Sequence, residues 1–244
     1  MSPVSIVVIT LNEEKRIGRL LEDLSQQTHQ QFEVIVVDSS SDDNTIEVAQ
    51  AYQSALPALT VHKMEQRGVS LGRNTGASLA QHERLLFLDA DVRLSPTFLT
   101  CALEQLEQKQ LEVAGVYMGA QSLPLIHKLG YGLFNLGLFV TQFTFPTAVG
   151  ACIFSTKLVH QRIGGFDEHI TLCEDCDYVK RASKTWRFRF LNLTFGFDPR
   201  RLDQDGIFKM GATYLKANVR RFFFGEMRNN EMEYKFGHYN QPQQ

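Results

Sequence analysis

Carboxylates and small hydroxyls in this chain fall just after apolar runs, where a buried strand hands its next residues to solvent. Leu88-Asp89-Ala90-Asp91 closes the run from Leu85, and its two aspartates bring hard oxygen ligands to one side. Such ligands suit Mg2+ or Mn2+ better than zinc, and a cation bridging diphosphate oxygens neutralises a leaving phosphate. Thr10, Asn12 and Glu13 follow a first β-branched run, and Asp38 follows a second. Glu13, Asp38, Asp89 and Asp91 on one edge would repel each other unless hydrogen-bond donors or a cation met them. A base, a ribose and a divalent metal are partners of that kind. An isolated aspartate after a strand is also an ordinary cap or turn former, and the polar run 39–44, with Asp42 and Asn44, reads as turn chemistry. Further on, Glu174-Asp175-Cys176-Asp177 crowds three acids together, which taken alone reads as a solvated helix N-terminus favoured by the helix dipole.

Glycines cluster at Gly68, Gly72 and Gly76 around Ser70, Arg73 and Asn74. A glycine-permissive loop entering a helix, with an always-charged arginine, can approach a phosphate or orient nearby carboxylates. Arg73 pairing with one of the aspartates is an equally good reading. Neither G-x-G-x-x-G nor G-x-x-x-x-G-K-[ST] is present, which argues against a dinucleotide fold or a P-loop. Cys173 and Cys176 form a C-x-x-C with no second pair at zinc-ligand spacing, and Cys101 and Cys152 stand apart, so reduced thiols are expected.

The elements that must position these residues alternate. Residues 4–10 form a run that is β-branched except at Ser5, as suits a parallel strand buried on both faces, and 13–27 carry Ile17, Leu20, Leu21 and Leu24 at helical spacing. A strand at 32–37, a helix from Thr45, a weaker strand at 59–64, a helix over 70–80 and a strand at 84–88 continue the pattern. The prediction is an α/β chain with a mostly parallel, Rossmann-like sheet flanked by helices, whose ligand edge lies beyond the carboxyl ends of the strands. A helix at 96–109, a strand at 112–119 and an aromatic-rich stretch at 123–145 make the second half. One catalytic domain is expected over 1–225, with a nucleotide-binding half (1–92), an acceptor half (93–225) and a polar tail at 226–244.

The composition agrees with a globular body: 244 residues, 21% charged, 43% hydrophobic, net charge -2. That balance gives no basic footprint for nucleic acid. The N-terminal residues lack a basic n-region and a cleavage site, which predicts cytoplasmic residence.

Seven pieces in order, VSIVVITLNEE (4–14), VIVVDSSSDDNT (34–45), RGVSLGRNTG (67–76), LLFLDAD (85–91), GGFDE (164–168), EDCD (174–177) and RRL (200–202), together resemble the family-two inverting glycosyltransferases of the GT-A fold. The resemblance implies a nucleotide diphosphate sugar donor, usually a UDP-sugar. Thr10, Leu11, Glu13 and Asp38 would surround base and ribose, and Arg73 would support the site. It further implies Asp91, helped by Asp89 and with Ala90 between them, as the holder of the Mn2+ or Mg2+ diphosphate, and Asp175 as the catalytic base. Glu174 would shape the acceptor site, and Gly150 and Ala151 would leave room for a sugar, tight packing being the competing account of those two. Ser39 and Leu11 depart from the family, where a second Asp and a stacking Tyr are common. The Q-x-x-R-W signature of processive synthases is absent, so transfer of single sugars is expected. A non-catalytic nucleotide-sugar binder on the same fold is the competing class. A nucleotidyltransferase is disfavoured because TLNEEKR is not its glycine-rich loop.

The stretch 133–149 is too interrupted by polar residues to span a bilayer, and reads as a buried helix or as an apolar wall facing a lipid-like acceptor. Residues 207–228 mix aromatic and basic side chains. They read either as packed on the domain with solvated basic groups or as lying on an anionic membrane surface. The expected partners are therefore a nucleotide-sugar, a glycan or lipid-linked acceptor and a peripheral membrane contact.

Overall fold

A computed structural model of the chain describes residues 1–119 and 125–197, together with 216, 219–221, 223 and 225–227. In chain order the elements are β1 (Val4–Thr10), α1 (Ile17–Ser25), β2 (Phe32–Asp38), α2 (Thr45–Gln50), β3 (Leu59–Lys63), α3 (Val69–Leu79), β4 (Arg84–Asp89), β5 (Val92–Arg93), α4 (Phe98–Gln108), β6 (Val113–Met118), α5 (Leu125–Thr141), β7 (Cys152–Thr156), α6 (Lys157–Ile163), α7 (Glu174–Ala182) and β8 (Phe188–Phe197). They build one α/β domain around a mixed sheet of order β3-β2-β1-β4-β7-β6-β8-β5.

The first four strands are parallel, and every residue of β1 and β2 is buried, which accounts for the β-branched runs they contain, Ile6 to Thr10 and Val34 to Val37. Alternation along β1 divides the core. Val4, Ile6 and Val8 face α1, α2 and α4, while Val7 faces α3, α6 and α7. Register then sets the ligand edge, because Thr10 stands opposite Asp38 and Ile9 opposite Asp89.

β7 enters antiparallel to β4, with Cys152 opposite Leu88. An antiparallel strand starts where its neighbour ends, so Gly150 and Ala151 arrive beside Asp89, whose N–H donates to the Ala151 carbonyl at 3.2 Å. The second half of the chain is thereby joined to the carboxyl edge of the first.

Candidate active site

Arg73, on the first turns of α3, is the centre of the edge. Only 2% of it is exposed, and Nη1 donates to Glu174 Oε1 at 2.7 Å while Nη2 donates to Asp89 Oδ1 at 3.1 Å and to the Gly150 carbonyl at 3.0 Å. Its guanidinium also lies over the Phe166 ring, 5.1 Å from the centroid. Burial works to lower the Arg73 pKa, but Asp89, Glu174 and Asp175 outweigh it and hold the guanidinium firmly charged. The glycines beside it serve packing. A Cβ on Gly76 would stand 2.2 Å from Val7 Cγ1, and one on Gly72 3.2 Å from Ile9 Cγ2, so α3 lies close on β1 because these positions are glycine. Of the two readings of this segment, pairing with carboxylates is the one the geometry matches: Gly72 and Gly76 face the sheet, and Arg73 is bound to two carboxylates and a carbonyl.

Glu174 and Asp175 open α7. The Cys173 at its N-cap holds a left-handed φ of 64°, an uncommon conformation for a residue with a side chain. Asp175 Oδ1 accepts from the Cys176 N–H at 2.7 Å, and Oδ2 lies on the Gly150 side, 3.1 Å from where a Cβ would sit. Burial pushes the Asp175 carboxyl above its ordinary range, with Arg73, the Cys176 N–H and Arg221 pulling the other way. Glu174 is raised as well, by burial first and against the pull of Arg73. Gly150 is in contact with both Arg73 and Asp175, so the room expected there for a sugar is filled by those side chains. Asp177 faces away and pairs with Arg181 at 2.7 Å, as a helix-start acid with a structural task does.

Asp38 lies at the other end of the edge and is fully buried. Its Oδ2 accepts from Thr10 Oγ1 at 2.9 Å and from the Ser41 hydroxyl, and its Oδ1 accepts from the Ser41 N–H at 2.9 Å. The Asn12 N–H donates to Ser41 Oγ and the Glu13 N–H to Thr45 Oγ1, both at 2.8 Å, lacing the loop after β1 to the loop after β2. Asn12 and Ser40 carry positive φ of 55° and 58° in these two loops. Leu11 and Ala90 are buried beside them, and Glu13 is 7% exposed. Asp42 pairs with Arg67 at 2.6 Å and the Asn44 amide with Glu14 at 3.2 Å, in keeping with turn chemistry.

Asp89 commits one oxygen to Arg73 and is 27% exposed at its side chain, and Asp91 is half-buried. Among the described residues no group of three His, Cys, Asp or Glu stands together as a complete protein ligand set. Two carboxylates at a strand end fit a hard cation that takes its remaining ligands from substrate phosphate and water.

Two contributors were not evident in the sequence. Asn74 Nδ2 donates to the Phe166 carbonyl at 2.9 Å and to Glu168 Oε1 at 2.8 Å, while its Oδ1 accepts from the Phe166 N–H at 2.8 Å. Gly165, with φ of 72°, leaves the space for this clamp, since a Cβ would lie 2.6 Å from Asn74 Oδ1. Arg221 is 1% exposed, pairs with Glu226 at 2.6 Å and lies over the Phe145 ring at 5.3 Å. Met227 packs with Leu172, Cys173 and Cys176, so this stretch is docked on α7 two residues past the expected boundary at 225. The 200–202 piece and most of 207–228 lie outside the described residues.

The profile described as Glycosyl transferase family 2 matches residues 5–163. An uncharacterized glycosyltransferase of Haemophilus influenzae is 35% identical over 105 residues, 43% of this chain and 35% of that protein. The 4,4'-diaponeurosporenoate glycosyltransferase of Staphylococcus haemolyticus is 32% identical over 155 residues, 63% of this chain and 39% of its own length. The chain spans about a third of the length of the first curated relatives it matches. Among solved structures, the mannosyltransferase PcManGT from Pyrobaculum calidifontis in complex with GDP-Man and Mn2+ superposes with a TM-score of 0.70 at 20% identity, covering 88% of this chain and 64% of that one. TarS 1-349 of S. aureus in complex with UDP-GlcNAc gives 0.65 at 22% identity, covering 80% and 58%. At such identities the likeness is one of fold.

Proposed function

The chain belongs to glycosyl transferase family 2, and from that premise we propose that it is an inverting, metal-dependent transferase moving single sugars from a nucleotide diphosphate donor, with Asp175 as its base. The observation that carries the reading is the placement of Asp175. It stands at the head of α7 against Gly150 and Arg73, on the edge where Asp89 ends β4.

In this reading Thr10, Leu11, Glu13 and Asp38 frame the base and ribose. Since Asp38 already accepts three hydrogen bonds, it acts mainly by fixing the loops that hold the nucleoside. Asp91, with the oxygen of Asp89 that Arg73 does not take, would hold Mn2+ or Mg2+, which when bound supplies charge neutralisation to the departing diphosphate. Arg73 keeps Asp89, Glu174 and the Gly150 carbonyl in fixed relation, so donor and acceptor groups meet in one geometry.

Asp175 takes the proton of the acceptor hydroxyl as that oxygen bonds to the anomeric carbon and the carbon–phosphate oxygen bond breaks on the opposite face. The nucleoside diphosphate leaves and the proton rests on the carboxyl group. One carboxylate suffices for inversion, and a pKa raised by burial makes it a better base than an exposed aspartate. Ala151 and Glu174 border the acceptor, a glycan or lipid-linked hydroxyl, while Gly150 packs against Arg73 and Asp175 and so holds the base in place. The UDP preference rests on the family resemblance; the two similar solved structures carry different donor bases, UDP-GlcNAc and GDP-Man.

The test is Asp175→Asn, assayed for donor binding and for transfer on one preparation. The amide keeps the shape and loses the basicity, so donor affinity stays while transfer falls about a hundredfold or more. The wild-type rate should also drop on acidification at a pH above the ordinary aspartate range, because the base works only ionised. Transfer at the wild-type rate in Asp175→Asn would return the site to a binding role. Melting-temperature shifts with UDP-GlcNAc and GDP-mannose, with and without Mn2+, identify the donor base and the metal requirement.

A further inference from the structure

Helix α5 is packed the wrong way round for a water-facing helix. Tyr131, Asn135, Leu138 and Gln142 recur at helical spacing on the inner side, where Asn135 Nδ2 donates to the Met118 carbonyl at 2.8 Å and Gln142 Oε1 accepts from the Phe190 N–H at 3.0 Å. Its amides therefore point into the protein. Leu129 (69% exposed), Leu133 (72%), Leu136 (56%), Phe139 (50%), Val140 (57%) and, just beyond the helix, Phe143 (56%) point out. No charged residue occurs between Lys128 and Lys157, so nothing on this stretch makes the outer face hydrophilic. Monomeric proteins in water seldom keep a contiguous apolar face of this kind unless something covers it. The helix is therefore not the buried one, the first of the two readings of 133–149; it turns an apolar face outward.

The charges around the face decide between coverings. Lys128 stands exposed at one end, and at the other the Arg189 guanidinium lies 4.6 Å from the Phe143 ring centroid. No acidic residue occurs from 113 to 166. A second copy meeting the first through a two-fold axis would bring cationic rims together, whereas anionic headgroups complement them. The helix is 17 residues, about 25 Å long at 1.5 Å per residue and short of the roughly 30 Å of a bilayer core, and none of the described helices is long and apolar enough to cross a membrane.

We propose that the outer face of α5 docks the protein in the plane of an anionic membrane surface, with Leu133, Leu136, Phe139 and Val140 entering the acyl boundary and Lys128 and Arg189 at headgroup level. Residues 142–150 lead from this helix to Gly150 beside Asp175, so docking sets the catalytic edge one short segment from the lipid. The proposal does not depend on the donor or on the role of Asp175.

The test is co-sedimentation of the full chain with vesicles of phosphatidylcholine, alone or mixed with phosphatidylglycerol. Wild type should pellet with the mixed vesicles and less with the neutral ones. Leu133→Asn combined with Phe139→Asn should weaken partition roughly a hundredfold, as each apolar side chain gains on the order of tenfold on leaving water. The melting temperature of that variant reports its fold. Phe139→Trp provides a second reading that keeps the apolar face, with emission beyond that of Trp186 quenched by lipids brominated on their acyl chains. Wild type left in the supernatant with mixed vesicles, an unaltered partition in a folded double variant, or an added emission in Phe139→Trp that brominated lipid leaves unquenched would each overturn the proposal. Self-association abolished by the double variant, without vesicle binding, would assign the face to a second copy instead.

Discussion

Replacing Arg73 by Met removes the charge while keeping an aliphatic stem in the helix–sheet seam. The variant loses hydrogen bonds of 2.7 Å to Glu174, 3.1 Å to Asp89 and 3.0 Å to the Gly150 carbonyl. Breaking a buried ion pair by deleting one partner costs about 3–5 kcal/mol, since the other charge is left uncompensated. Glu174 keeps 14% of its side chain exposed and Asp89 27%, so water recovers part of the loss and the low end, about 3 kcal/mol, applies. For a domain of this size that lowers Tm by roughly 6–12 °C. The loss should also depend on pH. Burial already raises the Glu174 and Asp175 carboxyls, and Arg73 is the first influence opposing it on both. Without Arg73 the folded state holds these protons to higher pH than the unfolded chain does, so its stability falls as pH rises above the ordinary carboxylate range. Thermal melts of both proteins near pH 5 and near pH 8 make the comparison, and the deficit should be larger at the higher pH. A deficit that is equal at both, or below about 1 kcal/mol at the higher pH, refutes the claim that Arg73 holds the carboxylates together.

Asp91→Ala should abolish the Mn2+-dependent part of the donor-induced Tm shift while the ligand-free protein still folds, because a half-buried carboxylate at a strand end is not core; an unaltered metal-dependent shift would remove Asp91 from the metal site. His160, which burial and then Arg181 push down to about 4 from 6.5, is neutral in the folded protein and more protonated when unfolded between those values. Stability should therefore fall by about 3 kcal/mol as pH drops through that window, and His160→Gln should flatten this component of the denaturation curve.

The parallel half was legible because burial on both faces leaves a one-dimensional trace. β1 and β2 each hold a run of β-branched residues, 6–10 and 34–37, and polar residues at the end of each mark the edge. β7 left no such trace, and β8 shows only the apolar–polar alternation of a half-buried strand, broken at Leu191. Cys152–Thr156 is five residues long and looks like any short apolar run, and its antiparallel insertion beside β4 is a tertiary choice that no local periodicity records. Asp38 shows the limit for sites. Its position after a strand marks the edge correctly, but only the three donors around it reveal that its carboxylate is already occupied.

Arg73 and Glu174 are 101 residues apart, and neither spacing nor composition ties them together. The tie is made by helical geometry at three successive positions. Residues 72, 73 and 74 point about 100° apart around α3, so each addresses a different neighbour. Gly72 faces Ile9 of β1 and lets the helix close on the sheet. Arg73 reaches the end of β4, the start of α7 and Gly150. Asn74 holds the 165–168 turn that precedes α7. Rotating or lifting this helix would release all three connections at once. The glycines at 72 and 76, which fix its height above the sheet, therefore set the distance between the Asp89 edge and Asp175 without touching either.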